Sequence, residues 1–224
     1  MRALGITWRS KIRDCVSRIY ELYHVHLNST HSLKHVYEVF HMGVCLWTSL
    51  HDSFFWNLNE QCRLTYALLL LTHDLSLSRW NVRDLTALTY EGTLNLCYDH
   101  DLYSEIDEPL LVYLSDAFSL KVCESHPPNS RVANPFLVMS VLMRLSDHGH
   151  LLRPWSIHSE WVYSMIEARP TSSASSQLIA LTHKYYELNF KPHLLMLSVL
   201  SPRLGHDLYL RYSANMEHWM HILS

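Results

Sequence analysis

Glycine and proline are scarce in this chain, five and eight among 224 residues. So few residues suited to tight turns argue against a sheet fold and for an all-helical one. Charge is thin as well: 17% of residues, with a net charge of -3 when histidine is neutral. No basic excess is present to form a nucleic-acid or membrane-headgroup surface. The longest apolar run falls far short of the ~20 residues that span a bilayer. Met1 to Lys11 holds no apolar core of signal-peptide length. The cysteines Cys15, Cys45, Cys62, Cys97 and Cys123 are odd in number and widely spaced, with no CxxC pair. They read as reduced, mostly buried thiols, which places the chain as a soluble, intracellular, cytoplasmic protein.

Apolar side chains and histidines are plentiful. Hydrophobic residues make up 48% of the chain, and 17 residues are histidine. At this length residues 1–224 form one domain with ample material for a core. Part of its charge titrates near neutral pH.

Helical spacing of apolar residues recurs along the chain. Residues 8 to 27 carry Trp8, Ile12, Cys15, Val16, Ile19, Leu22 and Tyr23 on one face. A second helix near 31 to 50 buries Leu33, Val36, Val39, Phe40, Val44 and Trp47. A third follows Phe55-Trp56 and runs to His73. Ser76 to Asn81 connects to a helix over Val82 to Cys97, and Tyr98 to Glu105 reads as a loop. Pro109 suits the first position of a helix reaching about Val122. Ser125 to Arg131, with its Pro-Pro pair, is a loop. Pro135 opens a strongly apolar helix, Pro154 starts the next, and Pro170 to Ser176 is a Ser-rich break. A helix over Leu178 to Leu200 contains Pro192, so a kink or break is expected there. Pro202 to Gly205 reads as a turn before a last helix over 206 to 222.

The stretch from Tyr66 to Leu75, Tyr-Ala-Leu-Leu-Leu-Leu-Thr-His-Asp-Leu, organises the rest. An apolar helix ends abruptly in His73-Asp74. Burying that pair is costly unless something neutralises it, and a divalent cation turns both groups into ligands. His31 and His35 stand at i and i+4, on one helical face. Asp147 closes another apolar segment, Val-Leu-Met-Arg-Leu-Ser-Asp. Three helices thus each offer ligands near an end, and a His/His/Asp/Asp set suits Zn, Fe, Mn or Mg.

His, then His-Asp, then Asp, in this order, resembles the HD metal-dependent phosphohydrolases. Asp147-His-Gly-His-Leu-Leu-Arg-Pro-Trp155, the aromatic stretch Tyr185 to Pro192 and the closing Asn215-Met-Glu-His-Trp219 narrow the resemblance. Together they resemble the catalytic domain of the class I 3',5'-cyclic nucleotide phosphodiesterases, from about Ser29 to Trp219. That resemblance implies a compact, all-α, multi-helix domain with a metal site among helix ends. It implies a hydrolase that opens a cyclic nucleotide such as cAMP or cGMP, a small-molecule partner, to the 5'-monophosphate. His31 would be the general acid. His35, His73, Asp74 and Asp147 would hold the first of two divalent ions, Zn, with Asp74 bridging to a second, Mg or Mn. Glu91, Thr182 and Tyr185 would lie on the substrate side.

Some positions depart from the family pattern. Thr30-His31-Ser32 replaces Tyr-His-Asn, and residues 75 to 90 are shortened. Thr182 stands where the family has a purine-gripping Gln, and Tyr185 where it has a Phe. These changes point to an altered base choice. The alternatives are a phosphodiesterase for a cyclic dinucleotide, an HD-type nucleotidase, and an inactive nucleotide-binding relative.

Overall fold

The computed structural model describes residues 6–25, 33–54, 60–75, 85–107, 109–112, 135–167 and 174–223. Its helices are α1 Ile6–Val25, α2 Leu33–Phe54, α3 Glu60–Thr72, α4 Leu85–Asp99, α5 Pro135–Asp147, α6 Trp155–Glu167, α7 Ala174–Tyr185, α8 Lys191–Leu200 and α9 Pro202–Leu223. No strand occurs among the described residues. The fold is all-α and compact. The expected loop over 125 to 131, the connector over 76 to 81 and the end of the helix beginning at Pro109 lie outside the described residues.

Three helices position the site. α2 packs on both α3 and α5. Its buried stripe runs Val36, Val39, Met42, Leu46 and Leu50. That 3.5-residue period leaves Val44 off the stripe and 43% exposed, against the expectation of burial. α3 and α5 are buried on most of their surface, Leu68 to Leu70 on one and Val138 to Leu145 on the other. Their leucine and methionine runs are what an enclosed helix requires.

Gly43 lets these helices close up. A Cβ built on it would lie 2.5 Å from Leu70 Cδ1 and 3.2 Å from Ser146 Oγ. Thus α2 meets α3 and α5 at one point, two turns beyond His35. Gly205 plays the equivalent part between α9 and α8, where a Cβ would meet Ser198 Cα at 2.3 Å.

Several local expectations are corrected. Tyr98 and Asp99 belong to α4, and Tyr103–Glu105 is a short 3-10 turn rather than open loop. Pro202 to Gly205 is the first turn of α9, because proline without an N–H is tolerated at a helix start. The expected disruption at Pro192 appears as a π-helical segment, Tyr186–Phe190, between α7 and α8. There the Lys191 N–H reaches back to the Tyr186 carbonyl, five residues away. A wider turn just before the proline absorbs the ring and the missing donor without ending the helical path.

Among the described cysteines, Cys15, Cys62 and Cys97 are buried thiols and Cys45 is exposed. No helix among the described residues is long and apolar enough to cross a membrane.

Candidate metal centre

Three separate helix ends bring four side chains together. His35 sits in the first turn of α2, and Asp147 is the last residue of α5. His73 and Asp74 form the turn directly after α3, where the Leu75 N–H bonds to the Thr72 carbonyl at 3.0 Å. The chain leaves the helix at Thr72, so both side chains swing off the apolar α3 axis toward α2 and α5.

The contacts are mutual. His35 Nε2 lies 3.5 Å from His73 Nε2, 3.4 Å from Asp74 Oδ2 and 3.4 Å from Asp147 Oδ1. His73 Nε2 lies 3.3 Å from Asp74 Oδ2 and 3.7 Å from Asp147 Oδ1. Ligands bonded at about 2.1 Å to one tetrahedral ion stand about 3.4 Å apart along each edge. The observed distances bracket that value. One ligand atom each from His35, His73 and Asp147 falls within 4.8 Å of the others, so this trio could hold a metal ion. Asp74 Oδ2 lies within reach of both imidazoles.

Ring orientation fits the same use. His73 Nδ1 is 2.9 Å from the Leu70 carbonyl. A carbonyl only accepts, so Nδ1 carries the hydrogen and a neutral His73 leaves Nε2 bare toward the cluster. A backbone partner fixing the far nitrogen is the usual orientation of a ligating histidine.

Electrostatics show what the cluster demands. Burial alone would lower the His73 imidazole, yet the Asp74 and Asp147 carboxylates outweigh it and raise it to about 9. Burial would raise Asp147, but His148, His35 and His73 hold its carboxyl well below the usual range. Two desolvated carboxylates are thus satisfied only with positive charge between them, supplied by protons or a cation.

The surroundings are aromatic and histidine-rich. Tyr185 Oη is 3.0 Å from His148 Nε2, which itself stands 3.7 Å from Asp147 Oδ2. Tyr185, expected on the substrate side, therefore reaches the turn that follows Asp147. Thr182 is half-buried, one helical turn earlier on α7. Tyr23 brings α1 to the cluster, its phenol pushed far up by burial and by the neighbouring Asp74 charge. A cleft of about 90 Å³ opens beside the site, lined by His35, Glu38, Met42, Asp147, His150 and Arg153 among others.

His31 lies outside the described residues, as does the side chain of Glu91, although α4 includes its backbone. His24 and His41 are exposed. His150 is buried, with His158 and Trp161 against it. Arg144, buried in the last turn of α5, was not singled out by the sequence. Spacing held one clue, since His148 and His150 immediately follow an acidic helix end that is itself a candidate ligand.

The closing Asn-x-x-x-Trp has a visible task. Asn215 Nδ2 donates to the carbonyls of Leu151 and Arg153, at 2.8 and 2.9 Å. Trp219, one turn on, donates from Nε1 to His158 Nε2 at 2.7 Å. Both residues face inward from α9 and clamp the segment after Asp147.

Comparison of the chain with protein-family models, with curated proteins and with solved structures finds no match.

Proposed function

We propose that the chain is a metal-dependent phosphodiesterase that hydrolyses a cyclic nucleotide to its 5'-monophosphate. One observation carries the reading: His35, His73, Asp74 and Asp147, from three helix ends, lie 3.3–3.7 Å from one another in every measured imidazole pairing. Those four residues would hold the first divalent ion, with Zn favoured by the mixed imidazole and carboxylate set. Asp74 would extend to a second ion, Mg or Mn. When bound, such ions polarise a phosphoryl oxygen and acidify a water.

The chain's own residues supply the rest. His73 is oriented by the Leu70 carbonyl, and Asp147 is fixed by the end of a buried helix. His31, four residues before His35, is assigned the proton for the departing ribose oxygen. An imidazole near its ordinary pKa is matched to that task, for roughly 10²–10⁴-fold in rate. Tyr185, hydrogen-bonded to His148 next to Asp147, is assigned to the substrate side. With Thr182 in place of an amide, base discrimination by a bidentate hydrogen bond is lost, which favours a relaxed base preference.

Metal analysis of the purified protein, followed by a panel of cyclic mono- and dinucleotides, tests the reading. Bound Zn or Mn is expected, with turnover of a cyclic phosphodiester that collapses in His31→Ala while metal is retained. Phosphate release from acyclic nucleotides alone would replace this reading with a nucleotidase. Ligand-induced thermal stabilisation without product would replace it with a nucleotide binder.

A further inference from the structure

A buried chain of three hydrogen-bonding rings leads from α9 to the cleft. Its direction is fixed by the first member. Indole Nε1–H is a donor only, so at 2.7 Å His158 Nε2 accepts. The proton of His158 must then sit on Nδ1. His158 Nδ1 is 2.9 Å from His150 Nδ1, so His150 Nδ1 accepts. One position remains for the proton of His150, and that is Nε2. This atom is buried and has no hydrogen-bond partner among the described residues. A buried N–H without a partner loses its hydrogen bond to water and gains none in return, which is why such groups are rare unless a ligand or water meets them.

His150 lines the cleft that also contains His35 and Asp147. Its ring is stacked on Trp161, with centroids 3.8 Å apart and planes 14° from parallel. It is therefore held in both orientation and tautomer. Burial, His158 and His148 keep the imidazole well below its ordinary pKa, so the ring stays neutral.

We propose that His150 is a ligand-binding residue whose Nε2–H, set in place by Trp219 through His158, donates to a phosphoryl oxygen in the cleft beside His35 and Asp147. His158 and Trp219 are positioning residues in this arrangement. Only the choice of a phosphoryl group rests on the phosphodiesterase reading; the tautomer and the unmet donor do not. A neutral donor of fixed tautomer suits an oxyanion already charge-balanced by a cation, because it adds a hydrogen bond without a second positive charge.

Nitrogen-15 NMR of the imidazoles in the zinc-loaded protein reads the tautomer directly. His150 is expected to show a protonated Nε2 and a bare Nδ1, and Trp219→Phe is expected to mix the two tautomers. Inorganic phosphate is then titrated. The His150 signals should shift, and His150→Phe, which keeps a ring against Trp161, should weaken phosphate binding about tenfold or more with zinc content unchanged. A proton on His150 Nδ1 in the wild-type protein overturns the proposal, and so does an unchanged phosphate affinity in His150→Phe. Failure to load zinc would instead sink the metal-centre reading, while the tautomer of the wild-type ring would still decide the case for His150.

Discussion

Gly43→Ala tests whether the helices that carry the site truly touch. In an exposed helix interior this exchange stabilises by about 1 kcal/mol, through helix propensity and a less flexible unfolded chain. Here the new methyl would stand 2.5 Å from Leu70 Cδ1 and 2.9 Å from Cδ2. Ordinary carbon contacts lie near 3.5–4.0 Å, so roughly 1 Å must be found. Leu70 is 1% exposed and cannot swing into solvent. Overpacking of this kind costs about 1–3 kcal/mol. The net expectation is a loss of about 1 kcal/mol, or a Tm lower by roughly 2–4 °C for a chain of this size.

The second readout is the site. The Leu70 carbonyl holds His73 Nδ1, and Gly43 lies two turns from His35. Pushing α2 off α3 therefore separates two candidate ligands, and zinc affinity should fall at least severalfold. Gly205→Ala is the control. It is more crowded, against the Ser198 backbone, but lies between α8 and α9. It should lower Tm with zinc affinity unchanged. Calorimetry with and without zinc on both variants separates the effects. A Gly43→Ala protein that melts higher than wild type and binds zinc equally well would refute the close three-helix meeting.

Asn215→Ala should cost about 3 kcal/mol in urea unfolding, because the carbonyls of Leu151 and Arg153 lose their donor inside the protein. Asn215→Asp should not rescue it, since a carboxylate has no N–H to give; a neutral outcome for either variant would contradict the clamp. Burial pushes His158 down to about 4, so below about pH 6.5 the unfolded chain takes up protons that the folded chain refuses. That stability is complete above about pH 6.5, wanes as pH falls and is gone near 4, with about 2 kcal/mol lost by pH 5. In His158→Asn the difference in unfolding free energy between pH 7 and pH 5 should shrink by that amount, and an unaltered difference would argue against a neutral buried ring. Chelation should lower the Tm of wild type by several degrees, as loss of a ligand at a hundred times its Kd removes about 2.7 kcal/mol. In Asp147→Asn the chelator should have much less effect, and equal shifts in both proteins would move the cation elsewhere.

Much of this was legible in the sequence because its signals are local. Apolar spacing locates α1 to α3, and the abrupt end of Leu-Leu-Leu-Leu in Thr-His-Asp marks where α3 stops. Pro135 and Pro154 mark helix starts for a steric reason that needs no tertiary context. Candidate ligands were legible because His35, His73, Asp74 and Asp147 stand at helix ends, where a side chain can leave its own helix for a neighbour. What escaped depends on partners remote in the chain. Val44 belongs to an apolar pattern yet falls outside the contact with α3 and α5. Nothing near His150 foretells burial; its partners His158, Trp161 and Trp219 come from α6 and α9. The π-helical segment is a compromise between a proline and a continuing helix, and periodicity signals only that some compromise is due.

The arrangement separates what holds the fold from what the site needs. Buried apolar residues run from Cys15 on α1 to Trp219 on α9 as one cluster, and the candidate ligands stand at the helix ends that border it. Apolar burial on that scale, at about 25 cal/mol per Å², far exceeds what one ion adds. Removing the ion should therefore lower stability without unfolding the chain, unlike small zinc domains in which the metal is the core. The second set of polar contacts follows the same logic. Asn215, Trp219 and His158 hold the segment after Asp147 from α9 and α6. Asp147 is thus fixed by α5 before it and by α9 behind the turn that follows. A carboxylate held on both sides loses little freedom when it binds a cation, and that lowers the entropic cost of binding there.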